Sequence, residues 1–318
     1  MIIDIAAHHI SKPVGKILLK TKYYGEGREF SYPPQNADPE IRLSLMEKYG
    51  INMQALSQTA PVILGFGAKD AAEICRLSND DNYALCKAYP DRFVNICIVS
   101  LLDMKSAMRE LERSINELDC RGVTVASNHK GKGLDSREYF PFYEKLVKHD
   151  LPLFIHPTHW ESYPLVDMEK GWRMMHLFGW PFDTTQSIWR LIFGGVIDHY
   201  PSLKIVTHHL GAMLPYFARR IETNFNGFLK DKLPRHITEY WANIYGDTAL
   251  DGTVAAYPCG YAFFGPERMM YGTDYPFGAE AGEDFIRENL LGVKAMNIPE
   301  EDKKKILGES ARKLLKIK

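Results

Sequence analysis

The chain has 318 residues, 45% of them apolar and 25% charged, and its formal net charge is −1. That length suits one barrel with insertions, a single domain over residues 1–318, better than two small domains, and it can bury a large core. The near-neutral charge, with no basic stripe and no zinc-finger spacing, excludes nucleic acid and anionic membrane as partners. No run of about 18 apolar residues offers a membrane span. The five cysteines (Cys75, Cys86, Cys97, Cys120 and Cys259) form no CxxC pair and are odd in number, which points to reduced thiols and a cytoplasmic location. Met1-Ile2-Ile3-Asp4-Ile5 lacks a basic region ahead of a long apolar stretch, so it reads as a strand rather than a signal peptide.

Short β-branched runs alternate with longer amphipathic segments, the pattern of βα units on a parallel sheet. Eight strands are predicted: Ile2–Ala6, Ile51–Leu56, Phe93–Val99, Gly122–Ala126, Leu151–Ile155, Leu203–Thr207, Ala242–Asp247 and Arg268–Thr273. Between them, helical spacing covers Ala68–Ala88 and Met104–Leu118. Asp183-Thr184-Thr185-Gln186 supplies cap and first-turn chemistry for a helix to about Tyr200. Charged amphipathic helices over Phe285–Met296 and Glu300–Leu315 close the chain. The expected architecture is a (β/α)8 TIM barrel with long insertions after strands one and five, residues 9–49 and 157–182. Both insertions leave C-terminal strand ends, where such barrels build their sites. Their aromatics (Tyr23, Tyr24, Phe30, Tyr32, Trp160, Tyr163, Trp172 and Trp180) suit a flat, conjugated substrate or the packing of a lid.

Four patches place His or Asp at a strand end: Asp4-Ile5-Ala6-Ala7-His8-His9, Phe154-Ile155-His156-Pro157, Thr207-His208-His209-Leu210-Gly211 and Gly272-Thr273-Asp274-Tyr275-Pro276-Phe277. Imidazoles with a carboxylate are what a divalent metal takes. Period-two alternation puts His8 with Asp4 and Ala6 on one side, the lumen, and sends His9 to the other. His156 ends a fully apolar strand, a costly place for an imidazole without a role. Of His208 and His209 only one can face the lumen, and spacing alone does not choose. An N-cap role for Asp274 is weakened by Pro276 and the distant start of the next helix. His159 and Trp160, on the loop beyond strand five, are candidate substrate contacts. Gly65-Phe66-Gly67 lacks the phosphate-cradling patterns.

With these patches in hand, the chain resembles the amidohydrolase-related family of the amidohydrolase superfamily, and within it the decarboxylases of aminocarboxymuconate semialdehyde and of hydroxylated benzoates. The resemblance spans nearly the whole chain. It is carried by Tyr49-Gly50-Ile51-Asn52-Met53-Gln54-Ala55-Leu56-Ser57, Ile155-His156-Pro157, the run from Gly195 to Lys204, Leu214-Pro215-Tyr216, and Gly272 to Phe277. It implies a metal held by His8, His156 and Asp274, and a proton-transferring His six residues before Pro215, which is His209. Ala6 departs from the pattern: relatives have His or Glu there, and a methyl group binds no metal. The site is therefore expected to be weak or empty unless a neighbour such as His209 or His9 substitutes. Arg28 lies near the position of a substrate-clamping Arg.

The resemblance implies a metal-dependent carboxy-lyase acting on a small aromatic or unsaturated carboxylic acid. Zinc is the expected metal and manganese the alternative; His209 and Asp274 are the catalytic pair. A homodimer or homotetramer is implied, with neither nucleic acid nor membrane as partner. The alternative is a hydrolase or hydratase of the same superfamily acting on a cyclic or conjugated acid. A third reading is a non-catalytic scaffold with a degenerate site.

Overall fold

The computed structural model describes residues 1–18, 34–60, 63, 65–158, 174–250 and 254–317. Arg28, His159 and Trp160 lie outside the described residues, as do the insertion aromatics other than Trp180. Eight parallel strands follow one another in one sheet: β1 (Ile3–His8), β2 (Met53–Ser57), β3 (Phe93–Ile98), β4 (Gly122–Ala126), β5 (Leu153–His156), β6 (Ile205–Thr207), β7 (Ile244–Asp247) and β8 (Met269–Met270). The circle closes where β1 meets the segment around β8. Ile5 N–H donates to Tyr271 O at 2.9 Å, Asp274 N–H to Ala6 O at 2.8 Å and His8 N–H to Tyr275 O at 2.6 Å. Eight parallel strands in a ring with flanking helices make the expected TIM barrel.

Two buried layers organise the core. Met53, Ala55, Val94, Ile96, Phe154, Val206 and Met270 share the cluster inside the ring. Leu56, Cys97, Val123, Leu153, Ile155, Ile205 and Met269 belong to the larger cluster beneath the helices. In the other strands alternate residues thus face opposite layers; in β1 Ile3, Ile5 and Ala6 all join the inner cluster, because the register shifts between Asp4 and Ala7 and breaks the alternation expected for Asp4, Ala6 and His8. Helix starts and stops follow local chemistry. Asp38 accepts from Glu40 N–H at 3.0 Å ahead of Pro39–Tyr49, which ends on Gly50 at φ +68°; Asp103 accepts from Ser106 N–H at 2.9 Å ahead of Met104–Glu117.

Several boundaries moved from those the sequence suggests. β1 and β5 run on to include His8 and His156. The last strand keeps ladder geometry only over Met269–Met270; beyond it side chains take the backbone donors, Thr248 Oγ1 accepting from Gly272 N–H at 3.0 Å and the Asp4 carboxylate from Thr273 N–H at 3.1 Å. The helix predicted from Asp183 to about Tyr200 starts at Trp180 and stops at Phe193, and a separate turn Val196–His199 follows Gly195 at φ +75°. Asp183 caps nothing there. It sits in the first turn, accepts from Thr158 N–H at 2.9 Å and also takes a hydrogen bond from Ser127 Oγ. Residues 9–49 hold the helix Lys12–Leu18 as well as Pro39–Tyr49. No described helix is long and apolar enough to cross a membrane.

Candidate active site

His8, His156 and His208 meet at the C-terminal mouth of the ring. Their ring centroids stand 5.1 Å (His8–His156), 5.1 Å (His156–His208) and 5.6 Å (His8–His208) apart. All three side chains are buried. Parity explains the third member: Ile205 packs outward and Val206 inward, so two residues beyond Val206 the chain again points inward, at His208. His9, on the other parity of β1, goes outward, where its Nε2 meets Asp81 Oδ2 at 2.7 Å.

One nitrogen of each central ring is tied down. His156 Nδ1–H donates to Pro157 O at 2.7 Å; a carbonyl can only accept, so this leaves Nε2 with the lone pair. His208 Nδ1 lies 2.7 Å from Asp247 Oδ2, and His8 Nδ1 shares a 3.0 Å hydrogen bond with Ser57 Oγ. Among the described residues, the buried Nε2 atoms of His8 and His208 have no aligned hydrogen-bond partner. Such carboxylate and carbonyl anchors are what orient imidazoles that ligate metals.

Asp274 joins this set from beyond β8, with φ +62°. Its Oδ1 is 3.0 Å from His8 Nε2, and its Oδ2 is 4.0 Å from His209 Nε2. His209 also sits at positive φ, +55°, and its ring lies nearly parallel to that of Trp180, 14° between planes and 6.2 Å between centroids. Asp274 and His209 are 17% and 18% exposed, the open side of an otherwise buried cluster. Trp180 also approaches His156 at 6.3 Å.

The electrostatics divide the imidazoles. Burial, aided by the charges of His8 and His208, holds His156 well below its ordinary value, so it stays neutral with a free lone pair. Burial also works against protonating His208, but the hydrogen bond and charge of Asp247 outweigh it and raise the group. Burial lowers His209 despite the pull of Asp274. For Asp274, burial favours the neutral acid, yet His8 and the neighbouring imidazoles bring it below the usual carboxylate value. The site thus sets an anionic Asp274 beside a neutral His156 and a His208 whose protonated form Asp247 favours.

These side chains fit a divalent cation in kind and direction. His8 Nε2 and Asp274 Oδ1 approach to 3.0 Å without forming an aligned hydrogen bond. Two donors about 2.1 Å from a tetrahedral ion stand about 3.4 Å apart, so a bound ion would spread this pair by a few tenths of an ångström. No group of three His, Cys, Asp or Glu among the described residues is drawn together tightly enough to hold an ion as it stands. Ala6, buried on β1, contributes only a methyl group. A cavity of about 890 Å³ opens at the other end of the barrel, between Met1, Asn52, Arg92, Arg121 and Lys316, far from this chemistry.

The sequence reading brought His8, His156, His209 and Asp274 to one place, and the geometry unites them. It did not single out His208 or its partner Asp247. Parity with Val206 could have pointed to the first; nothing local points to the second.

Known proteins resemble this chain over its whole length. The amidohydrolase family model matches residues 3–317. The 2-amino-3-carboxymuconate-6-semialdehyde decarboxylase of Dictyostelium discoideum is 31% identical over 312 residues, covering 91% of this chain and 84% of that protein. A gamma-resorcylate decarboxylase of Rhizobium radiobacter is 28% identical over 304 residues, with 87% of each covered. The 5-carboxyvanillate decarboxylase of Sphingomonas paucimobilis superposes with a TM-score of 0.87 at 26% identity, covering 100% of this chain and 99% of its own. A mutant form of a second such enzyme, from Novosphingobium aromaticivorans with bound manganese and 3-methoxy-4-hydroxy-5-nitrobenzoic acid, superposes with a TM-score of 0.88 at 25% identity, covering 100% and 97%. From its closed parallel barrel, its strand-end His and Asp residues and a family match from end to end, the chain belongs to the amidohydrolase family.

Proposed function

We propose that this chain is a non-oxidative decarboxylase of an aromatic or unsaturated carboxylic acid, dependent on a divalent cation. The observation that carries the reading is the pairing of His209 and Asp274 at 4.0 Å on the open side of the buried imidazoles. A proton donor beside a cation-binding set is what protonation at carbon needs. The decarboxylases that resemble the chain from end to end support the same reaction class.

His8, His156 and Asp274 would hold the cation. Imidazole and carboxylate donors suit zinc, the ion proposed here, and manganese is the alternative that the manganese-bound relative supports. When bound, the cation supplies positive charge for the substrate's oxygens. His209 supplies the proton. Burial keeps it a stronger acid than a free imidazole, the near-parallel Trp180 limits its tilt, and Asp274 pairs with its protonated form. The proton goes to the carbon that bears the carboxylate. The bond from that carbon to the carboxylate then breaks, carbon dioxide leaves, and the bond's electron pair restores the conjugated system. Arg28, His159 and Trp160 are proposed substrate contacts.

The test is a panel of hydroxylated benzoates and conjugated acids incubated with the cation-loaded protein in deuterated water. Carbon dioxide release with one deuterium at the vacated carbon is expected, and His209→Ala should lower turnover by about 10²–10⁴-fold. Opening of a lactone or amide without carbon dioxide would replace this reading with hydrolysis, and near-normal turnover by His209→Ala would overturn the role of that residue. Five free thiols support a reducing, cytoplasmic setting. The exposed Leu177, Phe178, Tyr216 and Phe228 support a homo-oligomer.

A further inference from the structure

We propose that His208, held by Asp247, is a ligand of the cation and stands in for the donor that the resemblance implies at residue 6. The inference rests on the cation dependence proposed above and adds a residue to it. Three observations carry it.

The first is position. His208 is the third corner of a triangle of imidazoles whose other corners are His8 and His156, with sides of 5.1, 5.1 and 5.6 Å. His209 is further off, its ring 6.2 Å from that of His208, and it is turned toward Asp274 and Trp180.

The second is orientation. Asp247 lies at the end of β7, wholly buried, and grips Nδ1 of His208 at 2.7 Å. That bond turns Nε2 inward, and Nε2 is buried with no hydrogen-bond partner among the described residues. Burying a lone pair without a partner costs free energy. A cation shared with His8 Nε2, which stands 3.0 Å from Asp274 Oδ1 without an aligned hydrogen bond, would engage both atoms. The Asp247–His208 pair has the form of a carboxylate that orients and enriches a metal-binding imidazole.

The third is the neighbourhood of Ala6. Gly272 has no side chain, and a Cβ there would lie 2.9 Å from Ala6 Cβ and 2.8 Å from Asp247 Cβ. Residues 6 and 247 therefore flank the same point of the barrel wall. The carboxylate that holds His208 stands beside the position from which a longer residue 6 would reach into the lumen. The donor that the resemblance implies on β1 would thus be supplied from β6, through a partner on β7. The resulting set is three imidazoles, His8, His156 and His208, with Asp274 as the carboxylate.

Cobalt(II) is the probe, because its visible spectrum reports the number and kind of ligands without turnover. The parent chain should take up about one equivalent with a ligand-field band. Asp247→Asn should weaken binding about 10–100-fold. His208→Gln, which keeps a donor toward Asp247, should weaken it at least as much and change the band. His209→Gln should leave the cobalt spectrum as in the parent. X-ray absorption of the zinc-loaded parent needs no variant and should count three imidazoles. A folded His208→Gln chain with parental cobalt affinity and spectrum, or a count of two imidazoles, overturns the proposal. So does a parent chain that binds no cobalt. Carbon dioxide release measured alongside separates the two readings: a chain that decarboxylates but binds cobalt without His208 loses only this inference, and one that binds cobalt through His208 but releases no carbon dioxide loses only the reaction.

Discussion

Single residues at the mouth of the barrel owe their chemistry to which nitrogen is tied and which is free. His129 marks the contrast. It lies buried in the short hairpin of Asn128–His129 with Lys132–Gly133 beyond β4, and neither ring nitrogen has a hydrogen-bond partner among the described residues. Burial, with a small push from Lys132, lowers it to about 3. Between about pH 3 and 6.5 the unfolded chain therefore binds a proton that the folded chain refuses. Stability rises with pH where the unfolded state holds more protons. The His129 contribution is complete above about pH 6.5 and is lost as pH falls toward 3. His129→Phe should flatten this acid limb and raise stability near pH 4 by on the order of 2–4 kcal/mol, read from urea midpoints at about pH 4 and 7. A variant that parallels the parent at both pH values would show that His129 is protonated equally in both states.

At the scale of elements, the turn after β6 does the most. His209, Leu210, Gly211 and Ala212 all take positive φ, from +53° to +73°. This sharp left-handed run separates the directions of His208 and His209, and packing secures it. Leu210 lies against Gly260 on the helix Ala256–Phe264, where an added Cβ would meet Leu210 Cδ2, Cγ and Cδ1 at 2.5, 2.6 and 2.7 Å. Gly260→Ala offers a helix-propensity gain of about 1 kcal/mol. Overpacking of about 1–3 kcal/mol opposes it, and since the Leu210 branch point itself is struck, overpacking should win. The variant should melt lower and, by shifting the adjacent His209, turn over more slowly. Unchanged melting and kcat would mean that Leu210 moves aside freely. The eight strands and most helices were legible locally, because a period of two and βα alternation are written into neighbouring residues. This turn was not, because a glycine on a later helix, far along the chain, enforces it.

For the molecule as a whole, closure of the ring depends on a buried polar knot. Asp4 accepts from Thr273 Oγ1 at 2.7 Å, Gln54 Nε2 at 2.9 Å, Thr273 N at 3.1 Å and Ala6 N at 3.2 Å. Arg42, buried, donates to Gln54 Oε1 at 3.0 Å and to His8 O at 2.6 Å. The knot joins β1, β2 and the segment after β8, and it holds the backbone on which His8 and Asp274 stand. Asp4→Ala would strand several buried donors and should cost about 3–5 kcal/mol, seen as a lower urea midpoint with the far-ultraviolet spectrum retained. A loss under about 1 kcal/mol would show that the ring closes without the knot.

By itself the sequence determined that parallel strands end in imidazoles and a carboxylate, and that one expected donor position holds only the methyl of Ala6. Those facts reside in runs of a few residues, and in a resemblance that spans the chain. The tertiary structure alone decided that His208 faces the centre beside His8 and His156. The reason is physical: the direction of each ring is set by partners far off in the chain, Asp247 for His208 and Trp180 for His209, which only the closed barrel brings within reach.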